Sequence, residues 1–480
     1  MTERAERPER AERPTDRSWV RLDNAANIFL AARNEIDPKV FRLSAEMDEP
    51  IDPAALQSAL DRVYAQYPLF RAVLRHGIFW YYLQHSNLHP TVQADVGPSV
   101  QHIYRQDNRE LLFRVLYRGH RISVEVFHAL TDGGGALWFF QDLLTEYVAL
   151  RKPEEFESAL TGPTGVKQEF AVDAFTHWFR KGTGSVPFAD DAASALEAPS
   201  TRLPEGAVAD GEPRTREERR RRRPHREVVR VGGTYTPDYR TRVVEMAMPV
   251  REVLNLARAE GVSLTIYLLA VFFDSLHMTR PPSGRARTIT CSVPVNLRQF
   301  FPTDSGRNFF ATTMLAHTYS DDPEADTVGA VCRDLNEQFQ RELTREGLER
   351  KVRRLVAFER HPVGRVVPRP IKDLILRAIN SSANRGITVA ISNLGRFQLP
   401  DPAAASVGRI YLHVSAVRPQ FCMVSHGSEL TVSFTSPFIE TDYHAAFVRH
   451  FTGLGVPVDV NASRVTAEEI DAVSAVDAQP

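Results

Sequence analysis

The alternation of apolar and polar positions marks out two stretches of regular structure separated by one that has none. In the first, Asp52 caps and Pro53 opens a helix whose Leu56, Leu60, Val63 and Tyr64 share one face, and Pro68 ends it. Strand-like runs follow over Phe70–Leu74, Ile78–Leu83, Leu111–Tyr117 and Arg121–Phe127. The broad apolar face of Ala136–Leu144 predicts a helix running to about Ala149. The second stretch opens with an amphipathic helix over Pro249–Glu260, stopped by Gly261, and a nearly all-apolar helix over Leu264–Leu276, which must be buried. Arg287–Val295 and Asn308–Tyr319 read as strands and Pro323–Leu343 as a long helix. Gly386–Asn393, Arg409–Val417, Gln420–His426 and Glu429–Thr435 form a strand-rich end, closed by a helix over Asp442–Phe451. Helices mixed with a largely antiparallel set of strands define an α+β chain.

At 480 residues the chain is long for one domain, and its 43% apolar and 25% charged composition is that of a globular protein with ample core. The pattern divides it into a disordered tail (1–18), an N-terminal lobe (19–180), a linker (181–240), a C-terminal lobe (241–460) and a second tail (461–480). The linker holds five consecutive arginines, Arg219–Arg223, and residues 214–226 carry eight Arg against two Glu. Such a block can contact nucleic acid or acidic lipid, but it has no interleaved aromatics and joins two halves, which favours a solvated connector. The net charge of −1 gives no global attraction to nucleic acid or membranes. Cys291, Cys332 and Cys422 are far apart and odd in number, so neither disulfides nor a metal site is expected. With a polar N-terminus and no run long enough to span a bilayer, a cytoplasmic protein is expected.

Candidate chemistry centres on His128-Ala129-Leu130-Thr131-Asp132-Gly133-Gly134-Gly135, where a histidine follows an apolar strand and precedes a helix. An imidazole in such a loop can take a proton from a hydroxyl or amine near neutral pH, and glycines let backbone N–H groups approach a reacting carbonyl. The bare H-x-x-x-D spacing is weak: His317 and Asp321 share it, but Asp322 and Pro323 follow, so that copy reads as a strand end meeting a helix N-cap. There is no G-x-S-x-G elbow, Walker loop, H-E-x-x-H or complete G-x-G-x-x-G, which disfavours acyl-enzyme hydrolases, P-loop enzymes and zincins. A general base without an obvious nucleophile remains.

His128 through Gly133 resembles the H-x-x-x-D-G motif of the superfamily of chloramphenicol acetyltransferase, nonribosomal peptide condensation domains, BAHD acyltransferases and alcohol acetyltransferases, most of all its bacterial alcohol acetyltransferase-like branch. Leu22–Ala26, Phe79–Leu83, Val293–Arg298, Asn308–Phe310 and Ser392–Gly395 follow in the family's order over roughly residues 20 to 460. The BAHD D-F-G-W-G sequence is missing, and Phe127 stands where condensation domains usually carry a second histidine.

The resemblance implies two chloramphenicol acetyltransferase-like lobes with an active-site channel between them. It implies an acyltransferase in which His128 is the general base for direct attack of an alcohol or amine acceptor on acyl-CoA. An acyl carrier protein as donor, and a non-catalytic binding homologue, are the alternatives. It further implies that Asp132 turns away from the ring to pair with Arg298, that Asn308 supports the lobe junction and that Ser392 and Asn393 line the floor. Gly133 and Gly134 read as the turn itself, requiring positive φ, with N–H groups able to hold an oxyanion. No tightly bound cofactor, metal or nucleic-acid partner is expected, and a monomer is.

Overall fold

A computed structural model of the chain describes residues 19–105, 108–157, 174–175, 227–279, 286–320, 326–360, 369–466 and 468. Arg219–Arg223, most of the 181–240 linker, the 1–18 tail and most of the 461–480 tail lie outside the described residues.

The first half contains β1 (Trp19–Arg21), α1 (Asn24–Ala32), β2 (Val40–Met47), α2 (Pro53–Gln66), β3 (Ala72–His76), β4 (Tyr81–His85), β5 (Val92–Ala94), β6 (Phe113–Arg118), β7 (Arg121–Phe127), α3 (Gly133–Arg151) and the short α4 (Pro153–Glu157). Asp52 caps α2 by accepting the N–H groups of Ala54 and Ala55, and the apolar face read from the sequence packs into the core. Three strands start later than expected, β6 at Phe113 because Leu111 makes only an isolated bridge to Val73. Pro68–Arg71 winds into a 3-10 turn before β3, and Ile78 and Phe79 lie in a tight turn where the Gly77 N–H donates to the Trp80 carbonyl. Apolar character there marks surface, with Ile78 73% exposed.

The second half contains β8 (Glu227–Val228), β9 (Arg242–Pro249), α5 (Val250–Ala259), α6 (Leu264–Met278), β10 (Arg287–Asn296), β11 (Phe310–Tyr319), α7 (Val328–Glu342), α8 (Arg345–Arg360), α9 (Arg369–Asn384), β12 (Val389–Arg396), β13 (Val407–Val414), β14 (Gln420–His426), β15 (Glu429–Ser436), α10 (Asp442–Gly453) and β16 (Asp459–Ala462). The helix expected from Pro323 begins at Val328, where Thr327 caps it; residues 321–325 are outside the described set. α6 is buried on almost every side, as its composition requires.

The strands form a three-stranded sheet (β1-β4-β3), a five-stranded sheet (β13-β2-β7-β6-β5) and an eight-stranded sheet (β11-β10-β12-β14-β15-β9-β16, with β8 on β10). Two large cores result, one around the five-stranded sheet with α2 and α3, the other around the eight-stranded sheet with α6 and α10. The chain is thus α+β and two-lobed, but the sheets do not respect the order of the halves. β13 comes from the second half and pairs antiparallel with β2, so Leu412 lies opposite Leu43 in the first lobe's sheet. No single helix among the described residues is long and apolar enough to cross a membrane.

Candidate active site

β7 delivers His128 to the lobe junction. The His128 N–H donates to the Lys39 carbonyl at 2.8 Å, continuing the β2–β7 pairing one residue past the strand. The imidazole stacks on Phe29 of α1 (centroids 4.1 Å apart) and lies against Phe41 of β2 (4.9 Å) and Phe310 of β11 (6.2 Å). Nδ1 is sealed from solvent without a well-formed hydrogen bond. Burial pushes the imidazole down to about 4; Asp132, the Asn308 side chain and the residue's own carbonyl offset part of this, and Lys39 adds to it. The expectation of titration near 7 is therefore corrected. Loss of hydration disfavours the cation, and the imidazole is uncharged through the neutral range.

Asp132 is the N-cap of α3 and does not bond the ring. Its Oδ1 accepts the Gly135 N–H at 3.0 Å, and its Oδ2 accepts Arg298 Nη1 at 2.7 Å and the Phe309 N–H at 2.8 Å. The Asp132–Arg298 pair is buried, with side chains 7% and 9% exposed, and Arg298 donates onward through Nη2 to the carbonyls of Ser305 (2.9 Å) and Arg307 (2.6 Å). Thr131 Oγ1 donates to the Gly306 carbonyl, and Asn308 Nδ2 donates to the His128 carbonyl at 3.1 Å. Residues 305–309 of one lobe thus hold both ends of the His128–Asp132 loop of the other. This explains why β11 starts at Phe310 rather than Asn308: the two preceding residues are spent on the loop.

The glycines differ from expectation. Gly133, Gly134 and Gly135 form the first turn of α3, and none has positive φ. Close approach demands them instead. A Cβ on Gly135 would stand 2.2 Å from Thr131 Oγ1 and 2.3 Å from the Gly306 carbonyl oxygen, and one on Gly133 would stand 2.7 Å from Leu394 Cδ2. With the N–H of Gly135 taken by the Asp132 side chain and that of Ala136 by the Asp132 carbonyl, the first-turn donors of α3 left without a described partner are those of Gly133 and Gly134.

Ser392 and Asn393 lie on β12. Asn393 Nδ2 donates to Thr265 Oγ1 at 2.7 Å, and its Oδ1 accepts the Gly395 N–H, so its hydrogen bonds face α6 rather than His128. The neighbouring Leu394 is the residue of this segment that reaches the glycine turn. His317 is held by Asp334 of α7 at 2.7 Å, a structural contact as its context predicts. The sequence reading missed Phe29 and Phe41. Phe29 was within reach of it, because Asp23 caps α1 through the Ala26 N–H and the run Asn24–Ala32 is apolar. Arg307 and Asn308 both approach Asp23, which anchors α1 and hence Phe29 over the ring. All three cysteines are buried and free, and burial raises their thiols, Cys332 and Cys422 to about 12, so none offers a thiolate nucleophile.

No protein-family model matches the chain, and no curated protein matches it. Solved structures do. Polyketide synthase associated protein 5 from Mycobacterium tuberculosis superposes with a TM-score of 0.56 at 15% identity, over 90% of this chain and 96% of that one. TRI3 trichothecene 15-O-acetyltransferase from Fusarium sporotrichioides gives 0.59 at 10% identity, over 90% and 94%. The first condensation domain of the CDA synthetase gives 0.56 at 15%, over 90% and 95%. The chain has the two-lobed fold that these acetyltransferase and condensation-domain structures share.

Proposed function

We propose that the protein is an acyltransferase in which an alcohol or amine attacks a pantetheine thioester directly, with His128 as general base. The observation that carries this reading is the placement of the His128 imidazole at the lobe junction against Phe29, Phe41 and Phe310, with Asp132 spent on Arg298 rather than on the ring. Among the described residues no side-chain nucleophile is hydrogen-bonded to the His128 ring, and a base without one suits direct transfer. His128 Nε2 takes the acceptor proton as the new bond forms to the acyl carbon; the carbon–sulfur bond then breaks, and the proton passes to the departing thiolate. The N–H groups of Gly133 and Gly134, at the positive end of α3, would stabilise the tetrahedral oxyanion.

Acyl-CoA is the proposed donor, reached through a channel between the lobes. Both an acetyltransferase and condensation domains share the fold, so a carrier-bound thioester is the competing donor. Thiol release from short and long acyl-CoAs, measured with a panel of alcohols and amines, tests the reading. Acceptor-dependent release lost in His128→Ala supports it. Transfer from an acylated carrier protein alone replaces the donor, and no transfer from either thioester overturns the enzymatic reading.

A further inference from the structure

α9 is amphipathic in the wrong sense for a core helix. Ile371, Leu374, Ile375 and Ala378 fall at i, i+3, i+4 and i+7 and all face solvent, with Leu374 67% and Ile371 51% exposed. Beside this stripe stands the β3–β4 turn, whose Ile78 and Phe79 are also exposed. The two elements are fastened together: Tyr81 Oη donates to Asp373 at 3.0 Å, and Lys372 Nζ donates to the Phe79 carbonyl at 3.1 Å. Two cations flank the Trp80 indole at this seam, Arg21 at 4.2 Å and Lys372 at 4.6 Å from the ring centroid. α9 and the turn after it are basic: over residues 369–385, Arg369, Lys372, Arg377 and Arg385 stand against Asp373, an excess of three positive charges (4 − 1) within a chain of net charge −1.

We propose that this face docks on a lipid surface bearing anionic headgroups. Aliphatic side chains standing out on a hairpin turn and a helix face suit insertion among fluid acyl chains, while an indole and flanking cations suit the headgroup layer. Charge complementarity selects an anionic bilayer over a neutral one. The face also abuts the site: Arg377 Nε of α9 donates to the Ala31 carbonyl of α1, the helix whose Phe29 stacks on His128. Docking there would put apolar acyl or acceptor molecules next to the helix that covers the base. The binding surface stands independently of the proposed reaction.

The test is co-sedimentation of the full chain with phosphatidylcholine vesicles, with and without phosphatidylserine, across a salt series. The wild type should bind the phosphatidylserine vesicles and lose affinity as salt rises. The triple variant Ile371→Ser, Leu374→Ser, Ile375→Ser should bind at least about tenfold more weakly, because it removes most of the insertable apolar area. Ile78→Ser with Phe79→Ser should weaken binding independently, and a blue shift of tryptophan emission on vesicle addition should be smaller in Trp80→Phe than in the wild type. Acyl transfer to a water-soluble acceptor without lipid should be unchanged in both variants, which separates failure of this proposal from failure of the proposed reaction. Equal affinity of the triple variant and the wild type for vesicles overturns the proposal. So does absence of vesicle binding together with a dimer, or with capture of an acidic carrier protein, that the triple variant loses.

Discussion

His128 and the glycines beside it show how much depends on what surrounds a side chain. The neutral ring should set the acid limb of kcat/KM near pH 4 rather than 6.5, because activity is lost only as the base itself is protonated. The linkage sign agrees. A histidine with a lowered folded-state pKa contributes stability that is complete above 6.5 and lost as pH falls toward 4, so His128→Phe should flatten that part of the stability profile. His128→Ala should cut turnover by about 10²–10⁴-fold with the fold intact, as single-turnover rates and circular dichroism would report. Gly135→Ala tests the neighbouring backbone. Its Cβ would strike the Gly306 carbonyl, which cannot swing aside, so we expect a loss of about 1–3 kcal/mol in chemical denaturation. Gly134→Ala meets Arg298 Nη1 at 3.2 Å and should cost less.

Elements carry the coupling between the motif and its support. If Asp132 and Arg298 act as one buried unit, each alanine variant should lose about 3–5 kcal/mol, because each leaves the other charge unpaired. The double variant should lose less than the sum, with a coupling of about 0.5–3 kcal/mol, and strict additivity in denaturation would refute the pairing. Period and capping made most of these elements legible: α2 from Asp52 and Pro53, β7 and α3 from the switch of period on either side of His128, and α6 from its unbroken apolar run. The residues that support the loop were less so. Asn308 and Arg298 could be named only through resemblance, since their bonds to His128 and Asp132 span 180 and 166 residues of sequence. Leu394 and Phe41 carry no local mark at all, because an apolar side chain at an active site looks like one in a core. α9 misleads in the opposite direction, since its apolar stripe carries a period that normally signals burial.

For the whole molecule, the decisive feature is one no local pattern contains: β13 crosses to the first lobe and makes the lobes inseparable. It also brings His413 to a buried ion cluster, where Glu245 of β9 accepts from His413 Nε2 at 2.9 Å and from Arg121 of β7 at 2.6 Å, and Arg121 also pairs with Glu46 of β2. The Arg121 guanidinium lies over Tyr411, 4.5 Å from its ring centroid. Burial alone would push the Glu245 carboxyl up, but His413 and Arg121 overcome it and hold the group at about 2. Its stabilisation is therefore present above the ordinary carboxylate range and lost as pH falls through 2. Glu245→Ala leaves Arg121 with Glu46 as its remaining carboxylate partner and takes from His413 Nε2 its bond to Glu245, so we expect a loss of about 1–3 kcal/mol at neutral pH. Glu245→Gln should lose less, since its amide oxygen can still accept from one of them. No hydrogen bond joins this cluster to His128 or Asp132 among the described residues, so thiol release per folded molecule should stay near wild type in both variants. A selective fall in kcat with unchanged denaturation would instead make Glu245 a positioning residue for the site, and a shift of the acid limb of kcat/KM in Glu245→Gln would identify His128 as the group it acts on.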